Sequence, residues 1–209
     1  MTTEQARNLL RAELRARRKN LGAGERIAAA NGVAASLEQL ADFVVDRHVA
    51  GYWAIEGELP LHVVVSTLGR RGQQYCLPRI TGARQLSFVA WKPGADLESN
   101  RYGIPEPVCT QEDLLAPNEL DIVLLPLLGF DRRGWRIGYG GGYYDASFEF
   151  LRDRHEAQSP LLVGVAYAVQ EMEAIEPAGW DVRLDYVATE FGLIDCWAEQ
   201  AAADRKPHA

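Results

Sequence analysis

The apolar positions of this chain change period several times, and the changes mark out its elements. Residues 3–20 have helical spacing, and after Gly22-Ala-Gly24 the stretch Glu25 to Leu40 forms a second, Ala-rich amphipathic helix. Short apolar runs follow at His48–Ala54, Gln74–Leu77, Leu86–Trp91, Asp121–Leu128, Pro160–Ala166 and Tyr186–Thr189, each of strand length. Between the first two, Leu59–Leu68 has helical spacing despite its β-branched valines. Apolar strands separated by helices predict an α/β domain with a mostly parallel sheet covered on both faces. The stretch Lys92–Pro117 interrupts the rhythm with Pro93, Gly94, Gly103, Pro105, Pro107 and Pro117, and is expected to be an ordered excursion or flap over a site. Residues 1–198 are expected to form one domain, with 199–209 a frayed tail.

Composition narrows the function classes. With 209 residues, 47% hydrophobic and 24% charged, the chain has the make-up of one soluble globular domain. A net charge of −7 argues against nucleic acid as a partner, so an anionic substrate must meet a local basic cluster. No apolar run approaches a membrane span and no signal-peptide core is present, so a membrane partner is not expected. Cys76, Cys109 and Cys196 are odd in number and lack metal-ligand spacing, which reads as reduced thiols in a cytoplasmic protein. The expected assembly is a monomer or weak homo-oligomer. His48, His62, His155 and His208 form no evident metal or triad pattern.

One segment carries the chemistry. Directly after the run Asp121–Phe130 comes Arg136-Ile137-Gly138-Tyr139-Gly140-Gly141-Gly142-Tyr143-Tyr144-Asp145, leading into a helical-looking stretch from Tyr143 to Asp153. Alternate glycines permit positive φ and close backbone approach, so several N–H groups can converge on one anion beside the positive end of a helix. A flexible surface turn is the plain alternative. The loop lacks the Gly-Lys-Ser/Thr ending of a P-loop and does not open a first βαβ unit as a dinucleotide fingerprint does.

The pattern Arg-x-Gly-x-Gly-x-Gly-Tyr-Tyr-Asp resembles the signature of the 5-formyltetrahydrofolate cyclo-ligase family, also called methenyltetrahydrofolate synthetases. Leu77-Pro78-Arg79, Tyr102–Pro107 and Gly164–Gln170 are similar to further family blocks in the same order, so the resemblance spans about residues 4–195. It implies an open three-layer sheet fold similar to the sugar-phosphate isomerase and CoA-transferase group. It also implies ATP- and Mg²⁺-dependent cyclisation of 5-formyltetrahydrofolate to 5,10-methenyltetrahydrofolate, with release of ADP and phosphate through a phosphorylated formyl intermediate. The implied partners are a reduced folate and ATP. Alternatives are the same phosphoryl-activation chemistry on another N-formyl or heterocyclic compound, or a folate- or nucleotide-binding protein without turnover.

Residue by residue, the resemblance implies that Arg7 and Arg11 contact ATP phosphates, in the Arg7-Asn-Leu-Leu-Arg11 match to a Lys/Arg-x-x-x-Arg pair. Arg7 stands where lysine is more familiar. Arg7, Arg11, Arg15 and Arg18 share one helix face, so a solvated basic face is the alternative. Arg136 and the loop from Ile137 to Tyr144 are expected to hold phosphate, with Arg136 and Asp145 the catalytic pair. Asp145 and Asp185, the latter within Asp181-Val-Arg-Leu-Asp185, are implied as magnesium-associated carboxylates. For Asp145 a helix cap is the competing role. Glu58 and Trp53 are implied as pterin contacts, with Tyr139 to Tyr143 beside the substrate. A surface turn for Glu58 and a core position for Trp53 are the alternatives. Ala146 departs from the family pattern, where a basic residue often follows Tyr-Tyr-Asp.

Overall fold

A computed structural model describes residues 3–205. In chain order, the helices are α1 (Thr3–Lys19), α2 (Ala23–Leu37), α3 (Ala41–Val45), α4 (His62–Arg71), α5 (Tyr143–Ser147) and α6 (Cys196–Asp204). The strands are β1 (His48–Ala50), β2 (Gln74–Ile80), β3 (Leu86–Ala90), β4 (Leu97–Ser99), β5 (Pro105–Pro107), β6 (Leu114–Leu115), β7 (Ile122–Pro126), β8 (Gly129–Phe130), β9 (Arg136–Ile137), β10 (Leu161–Val165), β11 (Tyr186–Thr189) and β12 (Gly192–Asp195).

Eight strands form one sheet in the order β12-β11-β10-β7-β1-β2-β3-β6. The five central strands, β11 to β2 in that order, pair in parallel, and antiparallel strands close both edges. The fold is therefore α/β with a large, mostly parallel sheet, as the alternating pattern predicts. Strand periodicity sends neighbouring residues to opposite faces. Val49, Ile122, Leu124, Val163 and Val165 enter one core with Ala29, Val33, Leu37, Phe43, Val64 and Leu68 of α2, α3 and α4. Ala50, Val123, Leu125 and Leu162 enter the other, with Phe148, Leu151, Val182, Leu184 and Cys196. Helix α1 belongs to neither layer. Its Leu10 and Leu14 pack on Leu128, Ile137 and Ile175, over the β8–β9 hairpin.

Several boundaries differ from the sequence expectations. The segment 25–40 ends as a helix at Leu37, and the chain re-enters a helix only at Ala41. Helix α4 starts at His62 rather than Leu59, which precedes Pro60 and is therefore disfavoured in helix. The stretch after the glycine loop is one short helix, α5, followed by a 3₁₀ turn at Glu149–Leu151. Lys92–Pro117 is ordered through the β4–β5 hairpin and the edge strand β6.

Of the expected frayed tail 199–209, the stretch to Asp204 belongs to α6, and residues 206–209 lie outside the described residues. Asp195 caps α6 by accepting from Trp197 N and Ala198 N, and Trp197 docks the helix by donating its indole N–H to Asp185 Oδ1 at 2.8 Å. Arg183 lies 4.0 Å over the same ring.

Candidate functional site

The chain leaves β1 toward β2 on one side, while β7 pairs on the other, so the sheet order reverses between β1 and β7. In open parallel sheets a crevice forms outside the strand carboxyl ends at such a point. Two segments meet there. The turn Gly51–Glu58 follows β1, and the β8–β9 hairpin after β7 delivers the glycine loop Gly138–Gly142.

The loop has left-handed backbone at Gly140 (φ 99°) and Gly142 (φ 69°), where side chains are strained. A Cβ on Gly140 would also stand 3.3 Å from Arg11 Cζ, so α1 lies directly over the loop. Arg11 Nε donates to Gly138 O at 3.1 Å, and its Nη1 donates to Asn8 Oδ1. Ile137 is buried, and its carbonyl accepts from Leu128 N, closing the hairpin beneath the loop.

Tyr139 reaches from the loop to the other segment. Its hydroxyl accepts from Arg18 Nη1 at 2.6 Å, and it hydrogen-bonds Glu58. Arg15 and Arg18 sit 5.5 and 5.6 Å from its ring centroid, within cation–π range. Glu58 is 7% exposed, with Oε2 accepting from Ile55 N at 2.9 Å. Burial raises its pKa, against the opposing pull of Tyr139, the Ile55 N–H and Arg18. Glu58, Arg18, Tyr52 and Gln170 line a narrow crevice, and a cleft of ≈ 660 Å³ opens beside it among Arg15, Lys19, Arg26, Glu56 and Gly57.

Trp53 is 37% exposed and meets Trp91 edge-on at 5.8 Å, at the start of the flap. Tyr143 faces the flap too. Its hydroxyl is within 3.0 Å of Tyr102 Oη and accepts from Arg101 Nη2. These contacts, Tyr102 first, lower the Tyr143 phenol pKa. Tyr144 packs inward and stacks on Phe148, and burial pushes its phenol pKa up.

Four expected phosphate or metal residues have other partners. Arg136 is 7% exposed, and its two terminal nitrogens go to Asp145 Oδ1 at 2.5 Å and to Val182 O. It fastens α5 to the 178–184 segment rather than standing open at the loop entrance. Arg7 donates to Asp181 Oδ2 at 3.1 Å and to Glu176 O at 3.0 Å, one turn away from the loop contact of Arg11. Asp145 Oδ1 also accepts from Val182 N, which leaves Oδ2 on a carboxylate that is 24% exposed.

Asp185 departs furthest from its expected role. It is fully buried and paired with Arg154 at 2.8 Å. Its Oδ2 also accepts from Leu162 N, and Oδ1 accepts from Trp197 Nε1. Both oxygens are occupied, so Asp185 holds β10, β11 and α6 together instead of facing a hydrated cation. Among the described residues no group of three or more His, Cys, Asp or Glu side chains converges on a common point.

Spacing marks the arginine face of α1, but no motif assigns a role to Arg18. Arg18 is 1% exposed, and its position follows the 7, 11, 15, 18 spacing. Trp91 also joins the site without a sequence signal, and Tyr102, which opens the Tyr102–Pro107 block, reaches Tyr143 through packing of the excursion.

The geometry has relatives. The model of the 5-formyltetrahydrofolate cyclo-ligase family matches residues 3–190. The 5-formyltetrahydrofolate cyclo-ligase of Haemophilus influenzae is 31% identical over 182 residues, covering 86% of this chain and 95% of that protein. The Escherichia coli K12 protein of the same name is 33% identical over 148 residues, covering 70% and 79%. The NMR structure of Aquifex aeolicus 5,10-methenyltetrahydrofolate synthetase superimposes with a TM-score of 0.76 at 27% identity, covering 97% of this chain and 95% of that one. The chain belongs to the 5-formyltetrahydrofolate cyclo-ligase family.

Proposed function

We propose that this protein converts 5-formyltetrahydrofolate to 5,10-methenyltetrahydrofolate with cleavage of ATP and release of ADP and phosphate. The family match and the names of its relatives support the reaction class. The observation that carries the site is the meeting of the glycine loop with the Glu58 turn across the β1–β7 reversal, joined through Tyr139.

The chemistry follows from the substrate. A formyl amide oxygen is a poor leaving group, so attack by the neighbouring N10 cannot proceed directly to a ring. Transfer of the γ-phosphoryl group of ATP to that oxygen makes it a phosphate leaving group. N10 then attacks the activated carbon and gives up its proton, and the C–O bond breaks as phosphate departs. The protein has to hold two substrates in line and spread phosphoryl charge. No covalent nucleophile on the protein is required.

In this reading the N–H groups of Gly138–Gly142 and the Arg11 guanidinium receive phosphate oxygens, with Arg7 and Arg136 supporting from behind. Glu58 accepts from the amino-pyrimidine edge of the pterin, and Trp53, with Trp91, offers it an apolar wall. The residues fit a magnesium ion that arrives with its nucleotide and takes most of its ligands from phosphate and water. Asp145 would hold it through Oδ2, and Asp185 would not. Such an ion, when bound, neutralises charge on the transferring phosphoryl group.

An absorbance assay in the near-UV with 5-formyltetrahydrofolate, ATP and Mg²⁺ tests the proposal. Methenyl product should form only when all three are present. Protein that binds ATP yet yields no product from this folate would defeat the substrate assignment.

A further inference from the structure

Arg18 is the largest fully buried side chain among the described residues and has no place in the reaction as written. It sits in the last turn of α1 with Nη1 on the Tyr139 hydroxyl at 2.6 Å and Nη2 on Glu56 O at 2.9 Å. Its Nε is buried without a hydrogen-bond partner. The Arg18 carbonyl accepts from Arg26 Nη2 at 2.7 Å, and Arg26 Nη1 donates to Gly57 O at 2.8 Å. Two arginines thus hold consecutive carbonyls of the turn that ends in Glu58. The turn needs holding, because Glu56 is the one non-glycine residue with positive φ (47°) among the described residues.

A buried arginine is costly unless its fork is used for orientation. Here the fork spans the two segments of the site, one from each side of the β1–β7 reversal. We propose that Arg18 is a positioning residue for the folate side of the site: it locks the Glu58 turn to the glycine loop through Tyr139, so that the pterin and the phosphates meet in one register. This rests on the cyclo-ligase reading for the identity of the ligand, but the lock itself is a property of the protein alone.

The lock has an electrostatic consequence at Glu58. The groups around that carboxylate are Arg18 from α1, Tyr139 from the glycine loop and Glu56 from its own turn. Tyr52 after β1 and Tyr144 on α5 also act on it, while the Tyr167 hydroxyl and Arg26 reach the turn's carbonyls. Among these groups Arg18 brings a positive charge that favours ionised Glu58. Removing it leaves burial less opposed, so the carboxyl should titrate at higher pH than in the wild type.

The test compares wild type with Arg18→Met, Arg18→Lys and Tyr139→Phe. Methionine fills the apolar stem without the fork, and lysine restores a charge and one donor. The first readout needs no substrate: ¹³C NMR titration of labelled glutamate carboxyls, with the Glu58 signal assigned by Glu58→Gln. Its midpoint should lie above the ordinary glutamate range, rise further in Arg18→Met, and return part of the way in Arg18→Lys.

The second readout is calorimetric affinity for 5-formyltetrahydrofolate without nucleotide. Arg18→Met should weaken it about tenfold or more, the scale of a lost charge-assisted hydrogen bond. Tyr139→Phe should shift it in the same direction, and Arg18→Lys should recover part of the loss. An unmoved Glu58 midpoint in folded Arg18→Met, or wild-type folate affinity in that variant, overturns the role. If Arg18→Met does not fold, Tyr139→Phe decides alone: wild-type affinity and an unmoved midpoint there refute the lock. Wild-type protein that binds no 5-formyltetrahydrofolate refutes the substrate reading only, since the carboxyl titration still reads the lock.

Discussion

Asp185 separates a structural carboxylate from a metal ligand, and Asp185→Asn makes the separation measurable. The side chain is neutralised with almost no change in volume. In the native protein, Arg154 is 2% exposed, with Asp185 at 2.8 Å as its counter-charge, and Arg154 Nε and Nη1 already lack partners. The substitution therefore leaves a buried guanidinium without its anion and turns one acceptor into a donor that faces other donors. Breaking a buried pair by removing one partner costs about 3–5 kcal/mol. For a domain of this size each kcal/mol moves the melting temperature by about 2–4 °C, so the fall should be about 6–20 °C. Thermal unfolding followed by circular dichroism measures it. In parallel, initial rates well below the transition, titrated with Mg²⁺, should show the half-saturating concentration of wild type. Wild-type melting combined with a much larger magnesium requirement would refute the structural assignment and restore Asp185 as a ligand.

Glu58→Gln should weaken folate binding yet not destabilise the fold. Burial raises the folded-state pKa of Glu58 above its unfolded value, so the native protein holds the extra proton and loses stability as pH rises through that window. Above it the glutamine variant should melt at or above wild type, and a lower melting temperature at pH 8 would contradict this. The acid limb of kcat/KM for the folate should also disappear in that variant. Gly140→Ala forces a side chain into φ 99° and against Arg11, and should cost about 1–3 kcal/mol of stability while raising KM for ATP more than for folate. An equal rise in both constants would place the loop elsewhere in the reaction. Tyr143→Phe removes the hydroxyl that Arg101 and Tyr102 share. Limited trypsin digestion should then cut faster after Arg101 with melting unchanged, and identical digestion would dismiss the clasp.

What the sequence made legible and what it hid differ by the range of the interactions involved. The strands were readable because a buried parallel strand is apolar on both faces, as Ile122–Leu125 and Leu161–Val165 are, whatever lies beside them. The glycine loop was readable because positive φ restricts the residue type locally. The roles of the charged residues were not, because they depend on partners far away in the chain. Asp145 and Asp185 look alike as acidic residues at the edges of their motifs. One keeps an oxygen near solvent and the other is taken up by Arg154, a partner 31 residues earlier that no motif includes. Arg136 stands at the loop entrance in sequence but turns toward Val182, 46 residues on.

The stripe on α1 makes the same point within one helix. Spacing places Arg7, Arg11, Arg15 and Arg18 on one face, and in solution alone they would be equivalent. Docking α1 on the β8–β9 hairpin makes them unequal. Arg7 goes to the 176–181 segment, Arg11 to the loop backbone, Arg15 to the Tyr139 ring and Arg18 to that ring and its hydroxyl. One row of like charges becomes a graded set, from exposed cleft to buried lock, because the helix crosses the mouth of the sheet. Like charges four residues apart destabilise an isolated helix, so the stripe is held by what the helix lands on rather than by the helix itself. A site assembled in this way depends on α1 docking. A variant that loosens Leu14 from Leu128 and Ile137 should disturb the basic cluster before it disturbs the sheet.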